Sequence, residues 1–124
     1  MSLVLFIGSF SFCQTGDAKN QKQAEMTFKS LAHDFGKLKA GSDCSFTFVF
    51  KNTGKADILI TNVSTSCGCT TPEWTKQPIK KNKEGNIKVK YDSNRIGAFT
   101  KTITVVSNSK NSPVTLTITG TIEQ

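Results

Sequence analysis

At 124 residues and 13.5 kDa the chain holds one domain with one core, and it is too short for two. Hydrophobic residues make up 36%, and nine phenylalanines against one tryptophan and one tyrosine predict that phenylalanine supplies much of the core volume. The net charge of +7 rests on lysines spread along the chain, with Arg95 the only arginine and one local cluster at Lys76, Lys80, Lys81 and Lys83. Specific phosphate and base-edge readout favours the guanidinium fork, so this charge argues against nucleic acid and for a solvated surface or an anionic docking partner.

The first thirteen residues differ from the rest. Leu3 to Phe10 is an uncharged run of apolar and small residues, and Ser11-Phe12-Cys13 places small residues three and one before Gln14. This reads as the end of a secretory signal peptide over 1–13, although it lacks the basic n-region and so points to a natural start upstream of Met1. It is too short to span a bilayer. A first buried strand is the structural alternative. Lipidation of Cys13 is a third reading, disfavoured because bulky Phe12 stands where a small residue normally precedes the lipidated cysteine. The expected mature protein is exported to the periplasm or cell exterior, has no transmembrane helix, and keeps Cys44, Cys67 and Cys69. An odd cysteine count in an oxidising compartment allows at most one internal disulfide.

Residues 14–25 are polar and read as a flexible leader. From 26 to 124 the pattern is short strands between turns. Met26 to Leu31 is the first, followed by an expected corner at His33-Asp34-Phe35-Gly36. Cys44, Phe46, Phe48 and Phe50 fall on alternate positions of the next. Asn52-Thr53-Gly54-Lys55 is a turn, and Ile58 to Ser64 the following strand. Beyond the cysteine motif, Ile87, Val89 and Tyr91 alternate, then Phe99, Ile103 and Val105, then Val114, Leu116, Ile118 and Ile122. About seven strands with no helical period predict an all-β, immunoglobulin-like Greek-key sandwich. Its expected core is Phe46, Phe48, Phe50, Ile58, Ile60, Val89, Phe99, Val105, Leu116 and Ile118.

The runs His33-Asp34-Phe35-Gly36, Phe48-Val49-Phe50-Lys51-Asn52-Thr53-Gly54, Ile60-Thr61-Asn62-Val63, Ser66-Cys67-Gly68-Cys69-Thr70 and Ile103 to Asn108 resemble a bacterial family, domain of unknown function 1573. The resemblance covers roughly Phe28 to Ile122, and S-C-G-C-T is its most specific element. It implies an exported immunoglobulin-like domain, related in shape to the hydin-type domains of cilia and centrosomes, with no assigned catalysis or cofactor. Cys44 lies outside the family's pattern.

Enzymatic constellations are not evident: His33 is the only histidine, and there is no G-x-S-x-G, no glycine-rich phosphate loop and no paired carboxylate motif. A lone C-x-C is a weak metal signal. If Asn52 to Lys55 joins an antiparallel hairpin, Cys44 lies level with Ser64, near Cys67, and the His33 corner closes on the same end. Four readings of the cysteines then stand open. Cys44 bridges Cys67 or Cys69, stabilising by roughly 3 kcal/mol through loop closure. Cys67 and Cys69 pair with each other, or stay free, as a redox site. His33, Cys44, Cys67 and Cys69 hold a metal. Or the thiols are inert. Trp74 beside Lys76, Lys80 and Lys81 reads either as a hydrophobic plug or as a platform for a sugar or protein. The expected function is a non-enzymatic binding or scaffold module for a protein or anionic glycan of the cell envelope. A thiol-redox or metal-holding domain seated at Cys67 and Cys69 is the alternative.

Overall fold

The structure, a computed structural model, describes residues 23–124. The expected signal peptide, Cys13 and the leader up to residue 22 lie outside the described residues. Eight strands follow in order: β1 (Met26–Phe28), β2 (Ala32–Lys39), β3 (Ser45–Asn52), β4 (Ile60–Thr65), β5 (Thr70–Trp74), β6 (Glu84–Tyr91), β7 (Gly97–Ser107) and β8 (Val114–Glu123). They form two four-stranded sheets, β1-β3-β6-β5 and β2-β8-β7-β4. The described residues contain no helix.

The alternation in sequence is the alternation in burial. In β6, Gly85, Ile87, Val89 and Tyr91 face inward, and the residues between them face solvent. Phe48, Phe50, Ile58, Ile60, Val89, Phe99, Val105, Leu116 and Ile118 are buried as expected. Phe46 is half-buried instead, at the seam between the sheets, where the His33 ring of the other sheet stacks on it at 3.8 Å.

The expected first strand and corner are corrected. The chain switches sheets there: β1 pairs antiparallel with β3, and β2 runs parallel to β8 with His33 opposite Ile118. The His33-Asp34-Phe35-Gly36 run is therefore a strand with a bulge between Asp34 and Lys37. The Gly36 amide donates to Asp34 Oδ1 at 2.9 Å, and Gly36 has φ +70°, a conformation that favours glycine. The bulge leaves His33 and Phe35 half-buried at the seam, where the His33 ring stacks on Phe46 at 3.8 Å and meets Phe35 edge-on at 4.6 Å.

The expected hairpin around Gly54 is also corrected. β3 and β4 belong to different sheets, so residues 53–59 form a crossover. A turn signature alone does not distinguish the two, and the buried Asn52 decides it. Its Nδ2 donates to the Ala56 carbonyl at 2.8 Å and the Ile79 carbonyl at 2.9 Å, while Oδ1 accepts from the Gly54 amide at 3.0 Å. Ile58 then pairs with Ile79 in an isolated bridge that holds the crossing chain. Gly54 is required by close approach, since a Cβ there would collide with the Gln23 carbonyl and the Glu25 amide.

Candidate functional site

The Ser66-Cys67-Gly68-Cys69 loop carries the chain from β4 in one sheet to β5 in the other, across one end of the sandwich. Its backbone is tied on both sides. Ser66 exchanges two hydrogen bonds with Thr102, its amide to the Thr102 carbonyl at 3.0 Å and the Thr102 amide to its Oγ at 3.1 Å. Thr65 Oγ1 donates to the Cys67 carbonyl at 2.8 Å, and the Asp92 amide donates to the Cys69 carbonyl at 2.9 Å. Within this frame Cys67 and Cys69 form a disulfide with Cα atoms 5.4 Å apart, and both are half-buried. The Cys69 amide donates to Cys67 Sγ at 3.2 Å. Gly68 at the tip has open space around it and no positive φ, so neither sterics nor backbone geometry requires glycine there.

Cys44 is not bridged. It is buried just before β3, with its carbonyl accepting from the Tyr91 amide at 2.9 Å. Thr70 pairs with Tyr91 from the other side, so β6 stands between Cys44 and the motif. Two strand spacings put them about 10 Å apart, beyond the roughly 7 Å that a disulfide tolerates between Cα atoms. The expected bridge from Cys44 assumed a β3–β4 hairpin and fails with it, although Cys44 and the motif do share one end. Burial, and secondarily the charge of Asp43, push the Cys44 thiol above its ordinary range.

The four-residue metal grouping is likewise not assembled. His33 lies on β2, at the edge of its sheet opposite β4, while Cys67 and Cys69 are bonded to each other. Among the described residues no three of His, Cys, Asp and Glu converge as a metal set.

The tryptophan and lysines are also dispersed in role. Trp74 is half-buried against the core, and the Lys76 ammonium covers its ring at 3.5 Å from the centroid. Lys80 pairs with Asp57 at 3.3 Å, and Lys81 is exposed.

Sequence reasoning did not anticipate the feature that lies beside the disulfide. An open, polar depression of about 940 Å³ sits at this end, walled by Gly41 to Asp43, by Gly68 and Cys69, and by Asp92 to Asn94. Its floor is the outer face of the first sheet, where Ser45, Lys90 and Thr71 lie in one row, with Lys88 beside it. The rim is stitched by Ser93 Oγ donating to the Ser42 carbonyl at 2.6 Å. Both carboxylates are engaged: Asp43 accepts from Ser45 Oγ at 2.7 Å, and Asp92 accepts from the Asn94 amide at 3.0 Å and lies 3.9 Å from Arg95. Lys88 and Lys90 make no ion pair among the described residues. The available signal was the alternation of β6, which sends Lys88 and Lys90 to one face.

Two four-stranded sheets, with the chain passing from one to the other between β1 and β2, have the PapD-like, immunoglobulin-like fold. The chain belongs to the family described as protein of unknown function (DUF1573), which matches residues 26–122. No curated protein matches it. Among solved structures it is similar to a protein of unknown function from Porphyromonas gingivalis W83, at TM-score 0.72 and 15% identity over 82% of this chain and 48% of that one. The PapD-like domain 7 of human CEP192 is similar at TM-score 0.68 and 7% identity, over 100% of this chain and 97% of that one. A third is the CsuC–CsuE chaperone–tip adhesion subunit complex of Acinetobacter baumannii, at TM-score 0.59 and 13% identity over 81% and 58%. This chain thus spans about half the length of the Porphyromonas protein.

Proposed function

We propose that the protein is an exported, non-enzymatic binding module whose docking site is the polar depression at the cysteine-loop end. The observation that carries this reading is the pair of unpaired ammonium groups, Lys88 and Lys90, on the floor of a rim built by three tied loops. Such a surface suits an acidic segment of a cell-envelope protein, or an anionic glycan, because unpaired cations on a preformed surface steer anionic partners. The kinship in fold to a chaperone that holds an adhesion subunit supports a protein as the partner. Export accords with the disulfide, which persists in oxidising compartments. The His33 ring is stacked on Phe46 and meets Phe35 edge-on, an aromatic packing role that supports a non-catalytic reading.

Cross-linking capture from the native envelope tests this, run in parallel with wild type and a Lys88→Glu/Lys90→Glu double variant. A partner captured by wild type and lost from the double variant supports the reading. Equal capture by both contradicts it.

The thiol-dependent reading gains a specific observation, because Cys67 and Cys69 pair with each other, both are half-buried, and Cys69 lines the depression. Its metal-holding form loses ground, since bonded sulfurs are not thiolate ligands.

A further inference from the structure

We infer that Cys69 is the sulfur of the Cys67–Cys69 disulfide that exchanges with an incoming thiol, and that the thiol it selects is anionic. The inference rests on the thiol-dependent reading above and assigns within it the attacked atom, the leaving atom and the substrate class.

The two sulfurs are not equivalent. Gly68 and Cys69 form part of the wall of the depression, and Cys67 does not. The Cys69 amide donates to Cys67 Sγ at 3.2 Å, so a thiolate released at Cys67 is met at once by a backbone N–H. A hydrogen bond to the charged form lowers a thiol's pKa, and the lower-pKa thiol leaves faster. The sulfur that holds the N–H is therefore the one expelled, and its partner, on the residue that lines the depression, is the one attacked.

The step is a thiol–disulfide exchange. An incoming thiol loses its proton to solvent, and its thiolate attacks Cys69 Sγ. A new S–S bond forms to Cys69 while the Cys67–Cys69 bond breaks, and the electron pair departs on Cys67 Sγ. A second thiolate of the same class then attacks the incoming sulfur of the mixed disulfide. This releases the oxidised thiol pair and leaves Cys67 and Cys69 as a dithiol: two thiols are oxidised and one disulfide is reduced.

The charge of the substrate follows from the floor. Asp92 on the rim lies 3.9 Å from Arg95 and Asp43 keeps its charge beside Ser45, whereas Lys88 and Lys90 on the floor make no ion pair among the described residues, so the floor is where a thiol carrying a carboxylate is attracted. That chemistry is shared by small acidic thiols and by a cysteine within an acidic peptide.

The test uses the full wild-type chain. Glutathione is added, the reaction is quenched early with N-ethylmaleimide, and peptide mass spectrometry locates each label. The expected product carries glutathione on Cys69 and maleimide on Cys67. Glutathione on Cys67, or an even split, overturns the assignment while leaving exchange itself intact. A disulfide that stays closed in millimolar thiol overturns both. In a second arm the opening rate per thiolate is compared for glutathione and cysteamine. The Lys88→Glu/Lys90→Glu variant should slow glutathione about ten-fold and leave cysteamine unchanged or faster, an effect that shrinks at high salt. Equal slowing of both thiols overturns the anionic preference. A decapeptide of the Glu-Cys-Glu type reacting faster than glutathione makes a peptide the source, and the reverse makes it a small thiol.

Discussion

Cys44 and Cys69 lie on either side of β6, each giving its carbonyl to one of two consecutive amides, Tyr91 and Asp92, at 2.9 Å. The same strand that joins them in the hydrogen-bond ladder keeps their sulfurs apart. The three cysteines of the described residues thus divide into a buried thiol and a rim disulfide.

The buried thiol should be nearly inert. Its pKa is raised by desolvation and by Asp43, so the folded state favours the protonated form. The unfolded chain releases that proton at lower pH, near 8.5, and binds fewer protons above it, so this contribution to stability is present at neutral pH and lost as pH rises. Denaturant midpoints of wild type and Cys44→Ala should therefore converge above about pH 9. Iodoacetamide should label Cys44 only after unfolding. Fast labelling of the native protein at pH 8 would contradict its placement.

The glycines separate by function. Gly54→Ala forces a Cβ against the Gln23 carbonyl and should destabilise by 2 kcal/mol or more, in the range of roughly 1–3 kcal/mol or above for overpacking. Gly68→Ala meets open space and should leave the midpoint within about 0.5 kcal/mol with the disulfide intact. Asn52→Ala removes the partners of the Ala56 carbonyl and the Gly54 amide, leaves the Ile79 carbonyl only its bond from the Ile58 amide, and should cost about 1–3 kcal/mol. Equal effects of the two glycine variants in urea melts would contradict this account.

Thr70 makes the opposite case. It is buried, and its Oγ1 has no hydrogen-bond partner among the described residues. Thr70→Val replaces an unsatisfied hydroxyl by a methyl of similar size and should be neutral or stabilising by up to about 1–2 kcal/mol. A clear loss of stability would show that the hydroxyl is used.

Trp74, the only tryptophan, reports its own neighbour. Lys76→Ala removes the ammonium from the ring face, should shift Trp74 emission, and should cost no more than about 0.5–1 kcal/mol, as an exposed cation–π contact does. Unchanged emission would show that the lysine does not cover the ring in solution.

The sandwich was legible in sequence because alternation of period two over β3, β6, β7 and β8 reports burial directly. Its connections were not. The Asn52-Thr53-Gly54 signature specifies a tight, hydrogen-bonded turn but not whether the chain returns to its own sheet, and a buried asparagine pairing with Ile79 is a tertiary fact. The same limit misplaced Cys44, since its distance from the motif depends on which strand lies between. His33-Asp34-Phe35-Gly36 carried the correct local chemistry, an Asp34 side chain bonded to the Gly36 amide, but that chemistry serves a bulge as well as a corner. The walls of the depression had no signal, because they come from three loops far apart in sequence, and only the alternation of β6 on its floor could be read.

Disulfide mapping of the native, unreduced protein tests the central claim most directly. After thiol blocking in denaturant and proteolysis without reductant, the account predicts one maleimide on Cys44 and a single loop peptide holding Cys67 and Cys69, lighter by two hydrogens. A cross-linked peptide joining Cys44 to Cys67 or Cys69 would contradict it.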